Sequence, residues 1–194
     1  MPRRERRSSS SPATSRLITP DDVAALVAAC SATAPTGVRN RALLLTLYFC
    51  GLRLTDALEL GPADVDPFFG VVTVGATRSH GERSLQMGRS TAMAVERWIE
   101  LRASLAPLPG APLFCTLTGG AMEPSYVRHL LSRLVRKSGI DARVHAHGMR
   151  DAYAARLLSE GTSVDEISHR LGHARLSVTR RYLARLQRRI AIDP

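Results

Sequence analysis

The last third of the chain constrains its fold most, because apolar residues recur there with the period of an α-helix. Met149, Tyr153 and Leu157 occupy every fourth position, and a second stripe runs from Val164 to Leu171. A stripe of this spacing lies on one face of a helix and packs against a partner. The pattern therefore predicts two consecutive short helices that contribute to one core.

The rest of the chain predicts further helices and one short β-region. Thr19 to Asp22 supplies an N-cap, a proline at the first helical position and acidic residues in the first turn. Between residues 71 and 87, β-branched or alternating stretches flank a turn rich in Gly and Ser, which favours antiparallel strands. We predict a mainly α fold with a small antiparallel β-sheet, with strands at 71–74 and 82–87 and helices at 23–30, 40–49, 55–60, 91–104, 124–137, 149–159, 164–171 and 177 to about 186.

Composition narrows the class of partner. The chain has 27 Lys plus Arg against 17 Asp plus Glu, a formal net charge of +10. Such a charge attracts polyanions and favours the release of their counterions. With 194 residues and 44% hydrophobic content, the chain is long enough for one well-buried core. We predict a disordered, basic, Ser-rich tail at residues 1–18, followed by one domain at 19–194.

The cysteines and apolar segments predict a cytoplasmic protein. Cys30, Cys50 and Cys115 form no close pair and no metal-ligand spacing, so we expect reduced core thiols, without a disulfide or a metal site. The apolar segments are interrupted too often to span a bilayer. The amino-terminal residues lack the apolar core of a secretory signal.

Four residues of the last third have the chemistry to hold and attack a phosphodiester. His147 and Arg150 occur as His-Gly-Met-Arg, His173 follows Leu-Gly, and Tyr182 comes nine residues after His173. A guanidinium donates paired hydrogen bonds to phosphate, imidazole titrates near neutral pH, and a tyrosine hydroxyl is a possible nucleophile. Each residue alone has an ordinary structural explanation. Their combination in a basic chain predicts double-stranded DNA as the substrate.

A further segment turns these residues into a recognisable set of motifs. It runs from Phe49 to Leu60 and reads Phe-Cys-Gly-Leu-Arg-Leu-Thr-Asp-Ala-Leu-Glu-Leu. Together with the two histidine motifs and Tyr182, it resembles the catalytic domain of the tyrosine recombinases, the phage integrase family, from about residue 19 onward. The resemblance implies site-specific DNA recombination through a 3′-phosphotyrosyl intermediate and a free 5′-hydroxyl. It implies no cofactor or metal, a homotetramer on paired DNA sites, and accessory DNA-binding proteins as further partners.

The resemblance also assigns roles to the acidic and basic residues of that segment. Arg53 and Arg150 are expected to clamp the non-bridging phosphate oxygens, on which negative charge accumulates during the reaction. Asp56 follows Arg53 by three residues and matches the family's acidic position. We expect it to orient an active-site guanidinium or histidine.

The remaining roles concern the proton and the nucleophile. In the resemblance, Tyr182 is the nucleophile and His147 is the candidate acceptor of its proton. His173 is expected to support the transition state by donating a hydrogen bond or moving a proton.

The β-hairpin departs from the family pattern. A lysine that protonates the leaving 5′-oxygen is usual there, but this stretch has none, and Arg78 falls at the lysine position if Glu82 and Arg83 align with the family's Glu-Arg. Arginine binds phosphate but is a poor acid. Three explanations stay open: His80 supplies the proton, water acts as the acid in a slow reaction, or the enzyme is degenerate.

The length of the chain also departs from the family pattern. Most family members have a helical DNA-binding domain that precedes the catalytic domain. Both a solitary catalytic domain and a truncated chain are compatible with the sequence. We expect the tail arginines to contribute loose phosphate contacts and the protein to associate with the nucleoid. The arginines predicted to contact DNA within the domain are Arg83, Arg175, Arg180 and Arg181.

Two alternative functions also involve DNA but differ from recombination in their chemistry. The stretch from Ser163 to Tyr182 also resembles a helix-turn-helix, which would make the protein a non-catalytic DNA-binding regulator. That reading leaves Arg53 and the His147 motif unexplained. A type IB topoisomerase shares the tyrosine and the phosphate clamp, but relaxes supercoils without a partner site.

Overall fold

The computed structural model describes residues 16–76, 81–105 and 107–192. The hairpin residues Arg78 and His80 and the tail arginines lie outside the described residues. The helices are α1 (Pro20–Ala29), α2 (Pro35–Phe49), α3 (Leu54–Glu59), α4 (Arg89–Ser104), α5 (Pro124–Ser138), α6 (Ala146–Ser159), α7 (Val164–Leu171) and α8 (Leu176–Ile192).

A small antiparallel sheet lies between α3 and α4. Its strands are β1 (Val65–Asp66), β2 (Val71–Val74) and β3 (Arg83–Gln86), in the order β1-β2-β3. The mainly α prediction with a small antiparallel sheet is confirmed. The two-residue β1 was not predicted, because a strand so short has no readable alternation.

The hydrophobic residues form two clusters that meet along α6. The larger joins α1, α2, α4 and α5, and its centre is Trp98, fully buried with its Nε1 donating to the Leu113 carbonyl at 2.8 Å. The smaller joins α6, α7 and α8, and it includes Tyr153, Leu171 and Tyr182. The predicted stripes are buried: Met149 lies in the larger cluster, and Tyr153, Leu157 and Leu171 lie in the smaller. The smaller cluster carries the polar residues of the candidate site on its edge.

The structure corrects several predicted boundaries. Helix α2 begins at Pro35 instead of residue 40, because a proline at the first helical position starts the helix without needing an N–H partner. Helix α8 continues to Ile192, well past the predicted end near residue 186. At the end of the predicted tail, Ile18 is buried and Arg16 pairs with Asp22.

Candidate active site

The predicted catalytic residues converge on one open cleft where α6, α7 and α8 meet the turn between α2 and α3. The cleft has a volume of about 460 Å³. It is lined by Arg53, His147, Arg150, His173, Val178, Arg181, Tyr182 and Arg185. All five residues predicted to be catalytic are among these eight, although they span the chain from position 53 to 182.

Arg150 is fixed by backbone carbonyls from two separate turns. Its side chain is almost completely buried, and it donates from Nη1 to the Gly51 carbonyl at 2.7 Å and from Nη2 to the Leu171 carbonyl. Burial and the nearby Arg53 guanidinium lower the pKa of Arg150 to about 10, so it stays charged at neutral pH. Gly51 has a φ of +62°, and a β-carbon there would collide with the Tyr153 ring. The turn thus requires glycine to bring its carbonyl to Arg150.

Arg53 is more exposed and is held by one carbonyl and one carboxylate. Its Nη2 donates to the Gly172 carbonyl at 3.0 Å, and its Nη1 lies 3.5 Å from Asp56 Oδ2. Gly172 ends α7 in the left-handed conformation, with a φ of +61°. Asp56 thus lies beside an arginine of the cleft, and its predicted role in orienting that guanidinium stays a prediction.

Arg83 does not lie where a DNA contact requires it. Only 3% of the residue is exposed, and its Nη2 donates to Asp56 Oδ2 at 3.0 Å while Nε donates to the Arg170 carbonyl. The prediction that Arg83 binds DNA is therefore corrected: it is an internal partner of Asp56 that joins β3 to α3 and α7. A buried position was not apparent from the sequence because Arg83 lies next to the polar hairpin turn.

His173 stands beside Arg150 as a neutral imidazole. Its Nε2 lies 3.3 Å from Arg150 Nη2, and its Nδ1 lies 2.9 Å from Thr179 Oγ1, which donates onward to Ser168. Burial and the neighbouring guanidiniums of Arg150, Arg53 and Arg83 lower the pKa of His173 to about 4. Because a guanidinium only donates, these contacts assign the proton to Nδ1 and leave Nε2 facing the clamp as an acceptor.

Tyr182 contacts a carboxylate that the sequence reading missed. Its hydroxyl donates to Asp151 Oδ1 at 2.6 Å. Burial and this hydrogen bond raise the pKa of Tyr182 above its ordinary value. His147 Nε2 lies 3.4 Å from the same Asp151 oxygen, and Arg189 Nη1 donates to Oδ2 at 2.7 Å. The signal was available, because Asp151 follows His147 by four residues and so shares its helix face.

Three further arginines were predicted to contact DNA. Arg175, Arg180 and Arg181 are exposed at the start of α8, and Arg181 lines the cleft. No group of three or more His, Cys, Asp or Glu residues suited to a metal ion occurs among the residues that the structure describes. Within the same residues, no helix combines the length and apolarity needed to cross a membrane.

Comparison with known proteins agrees with this geometry. The model of the phage integrase family matches residues 16–189. The chain is 31% identical over 168 residues to tyrosine recombinase XerC of Anoxybacillus flavithermus, covering 84% of this chain and 55% of that protein. It is 32% identical to XerC of Alcanivorax borkumensis, covering 81% of this chain and 51% of that protein. The chain thus spans about half the length of the curated relatives it matches.

Solved structures share the fold at lower sequence identity. The crystal structure of XerA recombinase superposes with a TM-score of 0.76 at 23% identity, covering 95% of this chain and 68% of that chain. The XerH site-specific recombinase bound to difH substrate gives a TM-score of 0.71 at 22% identity, covering 86% of this chain and 49% of that one. The chain belongs to the phage integrase family and has the fold of a tyrosine recombinase catalytic domain.

Proposed function

We propose that this chain cleaves and rejoins DNA strands through a 3′-phosphotyrosyl intermediate, as the catalytic part of a site-specific recombinase. The observation that carries the proposal is the convergence of the Tyr182 hydroxyl, Arg53 and Arg150 on one basic cleft. A nucleophile beside two guanidiniums is the arrangement that phosphoryl transfer needs. The relatives named as tyrosine recombinases support it. A protein that only binds DNA and regulates transcription would not need a buried arginine, Arg150, in the wall of an open cleft.

In the proposed reaction, the scissile phosphate lies between the guanidiniums of Arg53 and Arg150. The Tyr182 oxygen bonds to phosphorus as the bond to the 5′-oxygen breaks, and the non-bridging oxygens receive the guanidinium hydrogen bonds. The leaving 5′-oxygen takes a proton from an acid or from water. On a partner strand, a 5′-hydroxyl attacks the phosphotyrosine, and the tyrosine is released.

The wider assembly belongs to the same proposal. Arg175, Arg180 and Arg181 contact the phosphates of double-stranded DNA, which positions the cleft on the backbone. The active form is a homotetramer on paired sites, assisted by accessory DNA-binding proteins, in the cytoplasm and at the nucleoid. The hairpin arginine Arg78 is a phosphate contact.

Covalent capture tests the central step. Supercoiled and linear DNA carrying the flanks of the gene are incubated with the protein, which is then denatured. We expect a protein–DNA adduct that Tyr182→Phe abolishes. DNA binding with no adduct from the unaltered protein would support the regulator instead. Relaxed circles without joined partner sites would support a topoisomerase.

A second substrate tests the missing acid. DNA with a 5′-bridging sulfur has a leaving group that needs little protonation. Because the hairpin lacks a lysine, we expect this substrate to form adduct about 10²-fold faster than ordinary DNA. An equal rate on both substrates would show that an acid is in place, and His80→Gln then asks whether His80 is that acid.

A further inference from the structure

We propose that Asp151 is the direct acceptor of the Tyr182 proton during cleavage, and that Arg189 aims its carboxylate. This inference rests on the proposed function and deepens it. The family resemblance identified His147 as the candidate acceptor of the Tyr182 proton. The structure instead places Asp151 in direct contact with the Tyr182 hydroxyl, with His147 Nε2 3.4 Å from the same carboxylate oxygen.

The two oxygens of the Asp151 carboxylate accept hydrogen bonds from different side chains. Oδ1 accepts from the Tyr182 hydroxyl at 2.6 Å, and Oδ2 accepts from Arg189 at 2.7 Å. Asp151 is only 3% exposed, so neither oxygen is freely hydrated. Arg189 lies two turns beyond Tyr182 on α8, so one helix supplies both the nucleophile and the group that orients its base.

The tyrosine needs such an acceptor. Its burial and its hydrogen bond to a carboxylate both disfavour the phenolate, so the hydroxyl does not ionise before the DNA binds. The phenolic proton becomes acidic only as the oxygen bonds to phosphorus. At that moment the acceptor must already be within hydrogen-bond distance, and Asp151 is.

The bonds and protons of the step balance with an acid or water at the leaving group. The bond from the Tyr182 oxygen to phosphorus forms, the bond to the 5′-oxygen breaks, the phenolic proton moves to Asp151 Oδ1, and the leaving 5′-oxygen takes its proton from an acid or from water. His147, whose side chain is 64% exposed, lies 3.4 Å from Asp151 Oδ1 and can exchange the proton with solvent. On rejoining, the attacking 5′-hydroxyl gives up its proton to water or to the same acid, and protonated Asp151 donates to the departing tyrosine oxygen.

Cationic and titratable side chains surround the Tyr182–Asp151 pair. Arg189 forms an ion pair with the Asp151 carboxylate at 2.7 Å. Among the described residues, the other titratable and charged groups near the pair are His145, His147 and Arg150 from α6 and its N-cap, His173 from the turn between α7 and α8, and Arg185 from α8.

Asp151→Asn separates proton transfer from positioning, because the amide oxygen still accepts from Tyr182 but does not take the proton. We measure single-turnover adduct formation on the bridging-sulfur DNA from about pH 6 to 9, after confirming folding by circular dichroism and unchanged DNA affinity. We expect a loss of about 10²-fold at pH 7, and a rate that climbs with pH more steeply than in the unaltered protein as hydroxide replaces the base. His147→Gln should lose less than Asp151→Asn.

A matched pair of arginine variants tests the aiming role and covers the case in which Asp151→Asn fails to fold. Arg189→Met leaves the carboxylate in place without its partner, and we expect about a tenfold loss. Arg188→Met removes an exposed neighbouring charge and should match the unaltered protein. An unchanged rate in both Asp151→Asn and Arg189→Met overturns the inference, as does a loss with an unshifted pH profile. Absence of any adduct from the unaltered protein refutes the proposed function itself.

Discussion

The two sides of the cleft are built by different means. On the phosphate side, Arg150 and Arg53 donate to the carbonyls of Gly51, Leu171 and Gly172, so their guanidiniums are fixed by the path of the backbone. On the nucleophile side, Tyr182 is held by a side chain, Asp151, which is itself held by another.

This difference predicts which substitutions damage the fold. A change on the phosphate side removes a donor from buried carbonyls or from a buried carboxylate, so it should reduce stability as well as activity. A conservative change on the nucleophile side should mainly affect chemistry.

The largest effect should come from Arg150→Ala. The variant loses a donor to the transition state and leaves the Gly51 and Leu171 carbonyls without their side-chain partner. We expect adduct formation to fall by at least about 10³-fold and the free energy of unfolding to fall by about 2 kcal/mol. Single-turnover cleavage and urea unfolding measure the two. A folded, equally stable Arg150→Ala would contradict the idea that the clamp is part of the core.

Arg83→Met should be the most destabilising change that leaves every cleft residue in place. It removes a buried arginine that donates to Asp56 at 3.0 Å, while Arg53 stays 3.5 Å from the same carboxylate. Removing one partner of a buried ion pair costs about 3 kcal/mol. Arg180→Met, which removes an exposed arginine, is the control and should change the free energy of unfolding by less than about 0.5 kcal/mol. If Arg83→Met and Arg180→Met were equally stable, Arg83 would not be a buried partner of Asp56, and the predicted DNA contact would be favoured again.

Gly51→Ala should be less costly and can be compared with a matched glycine. Both Gly51 and Gly139 have positive φ, but a β-carbon meets the Tyr153 ring at Gly51 and open space at Gly139. We expect Gly139→Ala to cost about 1 kcal/mol of strain and Gly51→Ala about 1 kcal/mol more. Urea unfolding measures both. Equal losses in the free energy of unfolding would mean that the turn at Gly51 can shift to accommodate a β-carbon.

The sequence predicted the phosphate side better than the nucleophile side, and the reason is physical. Arg53, Arg150 and His173 each lie within two residues of a glycine in a short motif, and the backbone geometry of such motifs limits what can surround them. Asp151 and Arg189 form a contact between two helices. Such a contact depends on helix packing, and no local pattern specifies it. The same limit explains Arg83, whose burial depends on how β3 docks on α7.

The smallest effect concerns the pH dependence of stability through His173. Its pKa is lowered to about 4 in the folded protein, while the unfolded chain has the ordinary value of 6.5. Between these values the unfolded state binds a proton that the folded state does not, so stability falls as the pH drops from 6.5 towards 4.

His173→Gln removes this titration but keeps an acceptor for Arg150 and a donor for Thr179. Because His173 is only half-buried, we expect the unaltered protein to lose about 1 kcal/mol more than the variant between pH 7 and pH 4.5, as measured by urea unfolding. Parallel pH profiles would show that His173 titrates normally. The imidazole would then be protonated beside Arg53 and Arg150. The electrostatic repulsion between their guanidiniums and the imidazolium would be weaker than the distances between the groups indicate.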